Sequence, residues 1–246
     1  MVTANRKQLA TRAVACFQNQ TYPNKELVVI DDGQQDYAPL FKDIPENDIT
    51  YIKLEKKTEM VLGTLRNMAL DAAKGDFLIQ WDDDDWYHPE RIRIQAEYLQ
   101  KGYDACCLSD SLMHLSSPEY MHLPFVGCLP DGIPGSIMHK NNASIRYPEY
   151  RKSEDTIYQK DWMKHRYSKV PKKYAYLFIR CYHGNNTWEQ DHFKRRVKNS
   201  PSKWLMFMWY KYIMRDLSKH PKFRMDANCK KTFEQYLNDS KKLGLL

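Results

Sequence analysis

The chain has 246 residues, and with 42% hydrophobic and 13% aromatic residues it can build a sizeable core, which argues against intrinsic disorder. The formal net charge is +7, but residues 194–231 contain twelve Lys and Arg against two Asp, which leaves 26 basic and 29 acidic residues elsewhere. Because the positive charge is confined to one segment, the sequence lacks the general electrostatic footprint of a nucleic-acid-binding protein, and no nucleic-acid partner is expected.

The predicted location is cytoplasmic. No stretch reaches the roughly 18 uninterrupted apolar residues that a membrane-spanning helix needs, and no charged-then-apolar leader is recognised at the start of the sequence. The six cysteines show no CxxC spacing, so we expect reduced thiols. Cys106 and Cys107 are adjacent within an apolar run and are expected to pack in the core.

The first half of the chain alternates between predicted helices and strands. Apolar residues at helical spacing predict helices, short continuous apolar runs predict buried strands, and Pro89 followed by Glu90 is a typical helix start. The predicted order is helix 5–19, strand 26–31, strand 49–54, helix 60–73, strand 76–81, helix 89–100 and strand 103–115. This alternation predicts an α/β fold with a mainly parallel sheet flanked by helices. Before the first helix there is room only for a very short first strand, unless the sequence begins inside it.

The second half of the chain is less regular. Residues 116–152 contain Pro and Gly and predict a mixed β region with mobile loops. A helix is predicted over 153–166, a strand over 173–184, and helices only from about residue 189.

These patterns predict two units. The first is an α/β domain over 1–190, with one half over 1–100 and the other over 101–190. The second is a basic, aromatic helical extension over 191–246.

Acidic residues follow two of the predicted strands. ELVVI ends in Asp31 and Asp32, and FLIQW ends in four aspartates, Asp82–Asp85. Ligands bind beyond the carboxyl ends of the strands in open α/β sheets, so both acidic groups are expected to meet in one crevice. In an extended chain Asp82 and Asp84 would share one face, and Asp83 and Asp85 the other.

A pair of carboxylates on one face can hold Mg²⁺, which would explain why four like charges stand side by side. Each acid also has a structural alternative. Asp85 can cap the helix that opens at Pro89, and Asp31 or Asp32 can shape the turn before Gly33.

Two segments of the sequence resemble the inverting family-2 glycosyltransferases of the GT-A fold. They are NQTYPNKELVVIDDG, residues 19–33, and GTLRNMALDAAKGDFLIQWDDDDWYHPERI, residues 63–92. The resemblance is good over residues 3–100 and looser over 130–190. It implies a GT-A-like domain that binds a nucleoside-diphosphate sugar, such as a UDP- or GDP-sugar.

The resemblance also implies roles for individual residues in donor binding. Asp31, with Asp32 beside it, is expected at the base, and Asp82 or Asp83 at the ribose. The residues expected near the nucleotide or the sugar are Thr3, Asn5, Arg66 and Asn67. Asp84 is expected to bind Mn²⁺ or Mg²⁺ bridging the diphosphate, with Asp82 and His183 as further candidate ligands.

In the SEDT segment, Asp155 matches the aspartate that the family uses as general base, and Glu154 is the second candidate. The chemistry needs such a set, because a cation stabilises the charge that builds on the leaving phosphate and a carboxylate can take the proton of the attacking hydroxyl. One direct displacement inverts the anomeric centre. Without the resemblance, Asp155 would be a residue favoured by the helix dipole, and His183 a hydrogen-bonded histidine at a strand end.

The segment KWLMFMWYKYIM, residues 203–214, is apolar on nearly every side and flanked by basic residues. One interpretation is a helix lying on an anionic membrane near a lipid-linked acceptor, which would make the protein peripheral to a membrane. The other, which the pattern favours modestly, is a helix buried against the α/β domain or a partner.

Three functions are compatible with these features. The leading one is a metal-dependent sugar transferase that acts on a glycan or lipid-linked acceptor in polysaccharide or glycoconjugate synthesis. A nucleotidyltransferase shares this kind of sheet, but no Gly-rich phosphate loop opens the chain. The third is an inactive transferase-like domain that carries a membrane- or polyanion-docking module. Retention of the acids at 31–32, 82–85 and 154–155 argues against loss of activity.

Overall fold

The computed structural model describes residues 1–55, 60–115, 117–184, 197 and 200–246. The predicted helical region from residue 189 therefore lies partly outside the described residues. The described part contains an α/β arrangement of three small sheets with helices packed on them, so the predicted α/β class is confirmed.

The first sheet is entirely parallel and has the order β1-β2-β3. Its strands are β1 (Val2–Thr3), β2 (Leu27–Asp31) and β3 (Ile49–Lys53). All five residues of β2 are buried, as the continuous apolar run predicts. The helices that flank this half are α1 (Lys7–Gln18) and α2 (Leu62–Ala72), close to their predicted bounds.

Two mixed sheets complete the α/β part. The strands of the second sheet, in spatial order, are β10 (Tyr167–Val170), β6 (Ala105–Leu108), β9 (Met138–Lys140) and β4 (Phe77–Ile79). Those of the third are β5 (Trp86–Tyr87), β11 (Phe178–Cys181), β7 (Asp110–His114) and β8 (Phe125–Cys128). The helices of this part are α3 (Arg91–Gln100) and α4 (Glu154–Trp162). β9 is antiparallel to both of its neighbours, whereas β6 and β10 are parallel, as are β7 and β11.

The prediction of a single strand over 103–115 is wrong, because this segment forms two strands, β6 and β7. The chain leaves the second sheet at Ser109, whose N–H donates to the carbonyl of Val170 at 3.0 Å, and enters the third sheet as β7. One continuous apolar run therefore supplies strands to two sheets, which hydrophobicity alone does not distinguish. Cys106 and Cys107 lie in β6 and are fully buried, so their predicted packing role is confirmed.

Two other predicted elements are shorter than expected. Helix α4 ends at Trp162, and the residues after it form β10, a strand that the sequence did not predict. The strand predicted over 173–184 forms only at β11, because residues 172–177 form a 3₁₀ turn.

The C-terminal part contains α5 (Pro201–Met208), continued by a π-helical turn (Trp209–Ile213), and α6 (Ala227–Lys242). Helix α6 contributes Cys229, Phe233 and Tyr236 to the same hydrophobic core as α1 and β2. Helix α5 packs through Phe207 into a separate cluster with Phe125.

The burial predicted for the apolar segment 203–214 is wrong for most of its large side chains, since only Phe207 is buried. Among the residues that the structure describes, no helix has both the length and the apolar character needed to cross a bilayer. All six cysteines are free thiols.

Candidate active site

A cavity of about 350 Å³ lies beyond the carboxyl ends of β1, β2 and β4. The residues that follow these strands and line the cavity are Thr3, Asp32 and Asp82–Asp85. The lining also includes Arg66 of α2, residues 151–155 around the start of α4, and Arg180 of β11. The two acidic groups that follow strands are therefore brought to one crevice, as predicted, although β2 and β4 belong to different sheets and β4 pairs antiparallel with β9.

The first of the four aspartates, Asp82, is held by an arginine and an amide. Arg66 donates from Nη2 to Asp82 Oδ1 at 3.0 Å, and Gln80 donates from Nε2 to Oδ2 at 3.0 Å. The backbone N–H of Asp82 donates to the hydroxyl of Tyr87 at 2.7 Å, which fixes the chain where it leaves β4.

Asp83 and Asp84 share one guanidinium. Arg6 contacts Asp83 Oδ1 through Nη2 at 2.7 Å and Asp84 Oδ2 through Nη1 at 3.0 Å. Thr3 also donates to Asp83 Oδ2 at 2.7 Å, and His183 Nε2 lies 3.2 Å from Asp84 Oδ2. The predicted alternation, with Asp82 and Asp84 on one face and Asp83 on the other, is therefore wrong. The strand ends at Ile79 and the chain bends through the aspartates, so the two-residue period of an extended chain no longer applies.

Burial and neighbouring charges separate the pKa values of these two carboxyls. Burial, with the charge of Asp84, raises the pKa of Asp83 to about 7 against the opposing effect of Arg6. Burial also acts to raise the pKa of Asp84, but the hydrogen bond with His183 and the charge of Arg6 outweigh it, and its pKa lies below the usual value. Asp84 is thus the aspartate of this pair that stays ionised at neutral pH.

Asp85 is buried at the cavity wall and does not cap a helix. Its Oδ1 accepts a hydrogen bond from the backbone N–H of Cys181 at 2.9 Å, and burial raises its pKa well above the usual value. The capping alternative is wrong because β5 intervenes and α3 begins only at Arg91.

Asp31 is fully buried and does not line the cavity. Its Oδ1 accepts from the N–H of Gly33 at 2.8 Å, and its Oδ2 accepts from Tyr51 and Lys53 at 2.8 and 2.7 Å. This geometry supports the turn-shaping alternative for Asp31, and leaves Asp32 as the acid of this pair that reaches the cavity.

Asn5 and Gly33 bring the β1 and β2 ends together. A Cβ on Gly33 would lie 2.6 Å from the backbone nitrogen of Asn5, so this approach requires glycine. Asn5 has a left-handed backbone (φ 55°), and its side chain accepts from the N–H of Gln34 at 2.8 Å. Asn5 thus shapes the loop beside Thr3, and its side chain is not part of the cavity wall.

Arg66 links the acidic stretch to the start of α4. Besides Asp82, it contacts Glu154 Oε1 through Nε at 3.4 Å, and its guanidinium lies 5.4 Å from the centre of the Tyr147 ring. Burial raises the pKa of Glu154 to about 7, although the charge of Arg66 opposes this shift. Asp155, the next residue, lines the cavity and is only partly buried.

Two backbone features place Glu154 and Asp155 there. A Cβ on Gly63 would lie 1.8 Å from the carbonyl oxygen of Pro148, so only glycine allows the 148–150 segment to cross the start of α2. Ser153, which immediately precedes α4, has φ 65°, a left-handed conformation that costs about 1 kcal/mol or more for a residue other than glycine. Such strain is typical of functional sites.

Asn67 does not reach the cavity. Its side chain accepts from the N–H of Tyr147 and donates to the carbonyl of Tyr147, both at 2.9 Å. It therefore fixes the loop whose tyrosine ring lies under Arg66.

Among the described residues, no three His, Cys, Asp or Glu side chains are already grouped around one point as metal ligands. The donor chemistry nevertheless fits a divalent cation bound together with a diphosphate, because Mg²⁺ commonly takes one or two protein ligands plus phosphate oxygens and water. The 3.2 Å between Asp84 Oδ2 and His183 Nε2 is close to the spacing of about 3 Å between neighbouring ligands of a small octahedral ion. Asp82 faces Arg66 and Gln80 instead.

The arginines of the site other than Arg66 were not predicted from the sequence. Arg6 lies between Asp83 and Asp84, and Arg12 donates to the carbonyl of Asp84 at 2.6 Å. Arg180 lines the cavity, and its charge lowers the pKa values of Asp84 and Asp85. A signal existed for Arg180, a charge inside the apolar FIRC run, and for Arg12, four residues before Cys16 on the buried face of α1. Nothing distinguishes Arg6 from other basic residues.

Comparisons with known proteins show which proteins this chain is similar to. The family model described as glycosyl transferase family 2 matches residues 1–112. Cholesterol galactosyltransferase of Borreliella burgdorferi is 36% identical over 67 residues, which are 27% of this chain and 19% of that protein. The uncharacterized glycosyltransferase YwdF of Bacillus subtilis is 29% identical over 100 residues, 41% of this chain and 37% of that protein. The chain thus spans less than two fifths of the length of the curated relatives it matches.

Solved structures with the same fold extend over nearly the whole chain. The 1–349 fragment of Staphylococcus aureus TarS superposes with a TM-score of 0.57 at 18% identity, covering 98% of this chain and 79% of that one. The mannosyltransferase PcManGT of Pyrobaculum calidifontis, in complex with GDP-Man and Mn²⁺, gives a TM-score of 0.54 at 16% identity over 99% of this chain and 68% of that one. Residues 1–112 are therefore similar to glycosyl transferase family 2, and the fold of the chain is that of the GT-A glycosyltransferases.

Proposed function

We propose that the protein transfers a sugar from a nucleoside-diphosphate sugar to an acceptor hydroxyl, with inversion at the anomeric carbon and with a divalent cation. The observation that carries this proposal is the cavity itself. Its lining combines acids that follow β2 and β4 with four arginines, Arg6, Arg66, Arg151 and Arg180, and with a second acidic pair, Glu154 and Asp155. A cavity of about 350 Å³ is within the size range of small-ligand sites.

In this proposal the donor lies along the acidic wall. Thr3, Asp82 and Asp83, which line the cavity, would contact the ribose, and Asp32, which lines it where the chain leaves β2, would face the base. Arg66 and Arg180 line the cavity as cations. They are suited to the diphosphate, because a guanidinium offers a fork of donors to phosphate oxygens.

Asp84 and His183 would hold the cation. When bound, a divalent cation stabilises the negative charge that develops on the leaving diphosphate. Arg12 and Arg6 keep Asp84 in position from the protein side, one at its backbone carbonyl and the other at its carboxylate.

Asp155 is proposed as the general base. It lies on the cavity wall beside Glu154, and a carboxylate there can accept the proton of an acceptor hydroxyl that approaches from the side opposite the diphosphate. Glu154 is held by Arg66, which suits it to orienting that arginine rather than to taking the proton.

The donor is proposed to be a UDP- or GDP-sugar. Neighbouring structures were solved with UDP-GlcNAc and with GDP-Man and Mn²⁺. A lipid-linked or glycan acceptor is proposed, and the name of one relative, cholesterol galactosyltransferase, describes transfer to a membrane lipid.

Calorimetric titration of UDP and of GDP, each with Mn²⁺ and with EDTA, tests the proposal. We expect the protein to bind one of the two nucleotides in a Mn²⁺-dependent manner and Asp84→Asn to lose this binding. Asp71→Asn, at an exposed acid paired with Arg146, serves as the matched control and should bind normally. Absence of binding to both nucleotides with Mn²⁺ would contradict the proposed function.

The base is tested separately. Hydrolysis of the matching sugar nucleotide and transfer to a hydroxyl acceptor are measured for Asp155→Asn and Glu154→Gln, with product anomers identified by NMR. Asp155→Asn should bind donor normally and lose transfer about 10²- to 10⁴-fold. Normal transfer by Asp155→Asn, or retention of the anomeric configuration, would contradict the assigned mechanism.

A further inference from the structure

Helix α5 and its π-helical turn expose a row of large apolar side chains, here named the apolar stripe. Leu205 and Ile213 are 61% and 64% exposed, and Trp209 and Tyr212 are each 56% exposed. The six members are Trp204, Leu205, Trp209, Tyr212, Ile213 and Met214. Leu205, Trp209 and Ile213 recur every four residues and share one side of the helix. Trp204 and Tyr212 each precede a member of this row, and Met214 directly follows its end.

The opposite side of the same helix is firmly packed. Phe207 is buried, and its ring contacts those of Tyr120 and Phe223 at centroid distances of 5.6 and 6.3 Å. Ser200 caps the helix by accepting from the N–H of Lys203. The outward direction of the stripe is therefore fixed by the fold, and a folded protein holds six large apolar groups toward solvent.

Basic residues flank the stripe along the sequence. Between residues 203 and 224 there are six Lys and Arg and one acid, Asp216. Asp216 is engaged by Ser218 and by Lys219 at 3.4 Å. Lys211 lies over the ring of Tyr212, a member of the stripe, with its ammonium 5.1 Å from the ring centre. Apolar side chains are thus combined with a strong excess of positive charge.

We propose that the apolar stripe docks the protein on an anionic lipid bilayer, with the helix lying in the interface. Trp and Tyr favour the headgroup level, Leu and Ile favour the acyl boundary, and Lys and Arg bind anionic headgroups. The combination matches each layer of that surface in turn.

Two other occupants fit less well. A second copy of the chain, packed face to face on the same stripe, would bring the two sets of basic residues together, because a twofold interface joins like surface to like. A glycan would stack on Trp204, Trp209 and Tyr212, but it would leave Leu205 and Ile213, the most exposed members, without a suitable contact.

The buried cluster beneath helix α5 is next to a site residue along the chain. Tyr182 packs against the cluster that holds Phe207, and the next residue, His183, contacts Asp84. This membrane contact does not depend on the proposed transferase activity.

Vesicle co-sedimentation of the full chain tests the proposal. Vesicles of phosphatidylcholine are compared with vesicles that also contain phosphatidylglycerol, at low and at high NaCl concentration. We expect strong binding only to the anionic vesicles and weakening by salt. The Leu205→Glu/Ile213→Glu variant should bind at least about tenfold more weakly, because it removes apolar contact and adds negative charge.

A matched pair of variants separates docking from general loss of hydrophobicity. Met214 in the stripe and Met163 at the end of α4 are 42% and 37% exposed. Met214→Glu should weaken binding to anionic vesicles, and Met163→Glu should not.

No sedimentation of the protein with anionic vesicles at low salt, or equal binding by the two methionine variants, would overturn the proposal. So would concentration-dependent dimerisation that Leu205→Glu abolishes while vesicle binding persists, since that result identifies a second copy as the occupant. Nucleotide titration of Leu205→Glu/Ile213→Glu in parallel keeps the two questions apart, because we expect its donor binding to be unchanged.

Discussion

Each of the four consecutive aspartates has its own partner, which explains how like charges stand side by side. Asp82 contacts Arg66, Asp83 and Asp84 share Arg6, and Asp85 accepts from a backbone N–H of β11. The protein's own guanidinium groups, and not a metal alone, offset the repulsion within this stretch.

Glu154 should make the stability of the protein depend on pH. Its pKa is raised to about 7 in the folded state by burial, so the folded protein holds this proton more tightly than the unfolded chain. The resulting stabilisation is complete below a pH of about 4.5 and is lost as the pH rises through 7. Glu154→Gln should abolish this loss. Between pH 5 and pH 8 the free energy of unfolding of the wild type should therefore fall by on the order of 1 kcal/mol more than that of the variant.

Urea unfolding at pH 5 and pH 8 measures the effect. Glu149→Gln, at an exposed glutamate a few residues earlier, is the matched control and should keep the pH dependence of the wild type. Identical pH profiles for the wild type and Glu154→Gln would refute the assignment.

Arg66 should not tolerate replacement by lysine. Its guanidinium reaches Asp82 through Nη2 and Glu154 through Nε, and a single ammonium cannot reproduce this fork. We expect Arg66→Lys to lower kcat/KM for transfer roughly 10- to 100-fold. Arg146→Lys, at an exposed arginine that pairs with Asp71, should retain normal kinetics. Equal kcat/KM values for the two variants would show that the fork has no role in transfer.

At the scale of elements, helix α6 supports the acidic stretch from behind. Arg12 of α1 donates to Ser240 of α6 at 3.1 Å and to the carbonyl of Asp84, and its guanidinium lies 5.4 Å from the centre of the Tyr236 ring. Trp86, two residues after Asp84, donates to Asp239 of α6 at 3.0 Å. A helix at the end of the chain thus fixes the position of the proposed cation-binding residue.

Arg12→Lys should therefore weaken Mn²⁺-dependent nucleotide binding, although Arg12 does not line the cavity. Lysine has one donor group and cannot hold both Ser240 and the carbonyl of Asp84. We expect about a tenfold rise in the Kd for the nucleotide with Mn²⁺, and a smaller change with EDTA. Calorimetry gives both values, and Arg93→Lys, at an exposed arginine of α3, is the control. If the Kd for the nucleotide rose by the same factor with Mn²⁺ and with EDTA, Arg12 would have a general structural role instead.

The elements themselves could be predicted from the sequence only where local pattern and tertiary setting agree. β2 is recognisable because it is buried on both faces and reads as a continuous apolar run. The break at Ser109 and the strand β10 depend on which sheet each segment joins, and this is decided by long-range pairing that no local pattern contains.

For the whole molecule, the sequence locates the site better than it predicts its contacts. Acids after strands identify the correct crevice, although β2 and β4 lie in different sheets and β4 pairs antiparallel with β9. The partners of Asp84 cannot be found this way, since Arg6 and His183 lie 78 and 99 residues away along the chain. For 203–214 the sequence offers both an interfacial and a buried helix and modestly favours burial, since a helix that is apolar on nearly every side is more often buried.

The C-terminal helix α6 packs into the main core and should therefore unfold together with it. Phe233 of α6 is buried in the cluster that also holds Phe17 of α1 and Leu27 of β2. Phe233→Ala should lower the free energy of unfolding by about 3–4 kcal/mol, as truncation of a buried phenylalanine does. The urea transition should remain single, with tryptophan fluorescence and far-UV circular dichroism coinciding. Glu234→Ala, at the exposed neighbouring position, controls for helix propensity and should cost little. If the helix were an independent extension, Phe233→Ala would instead produce an early, separate transition of helical signal and leave the midpoint of the main transition unchanged.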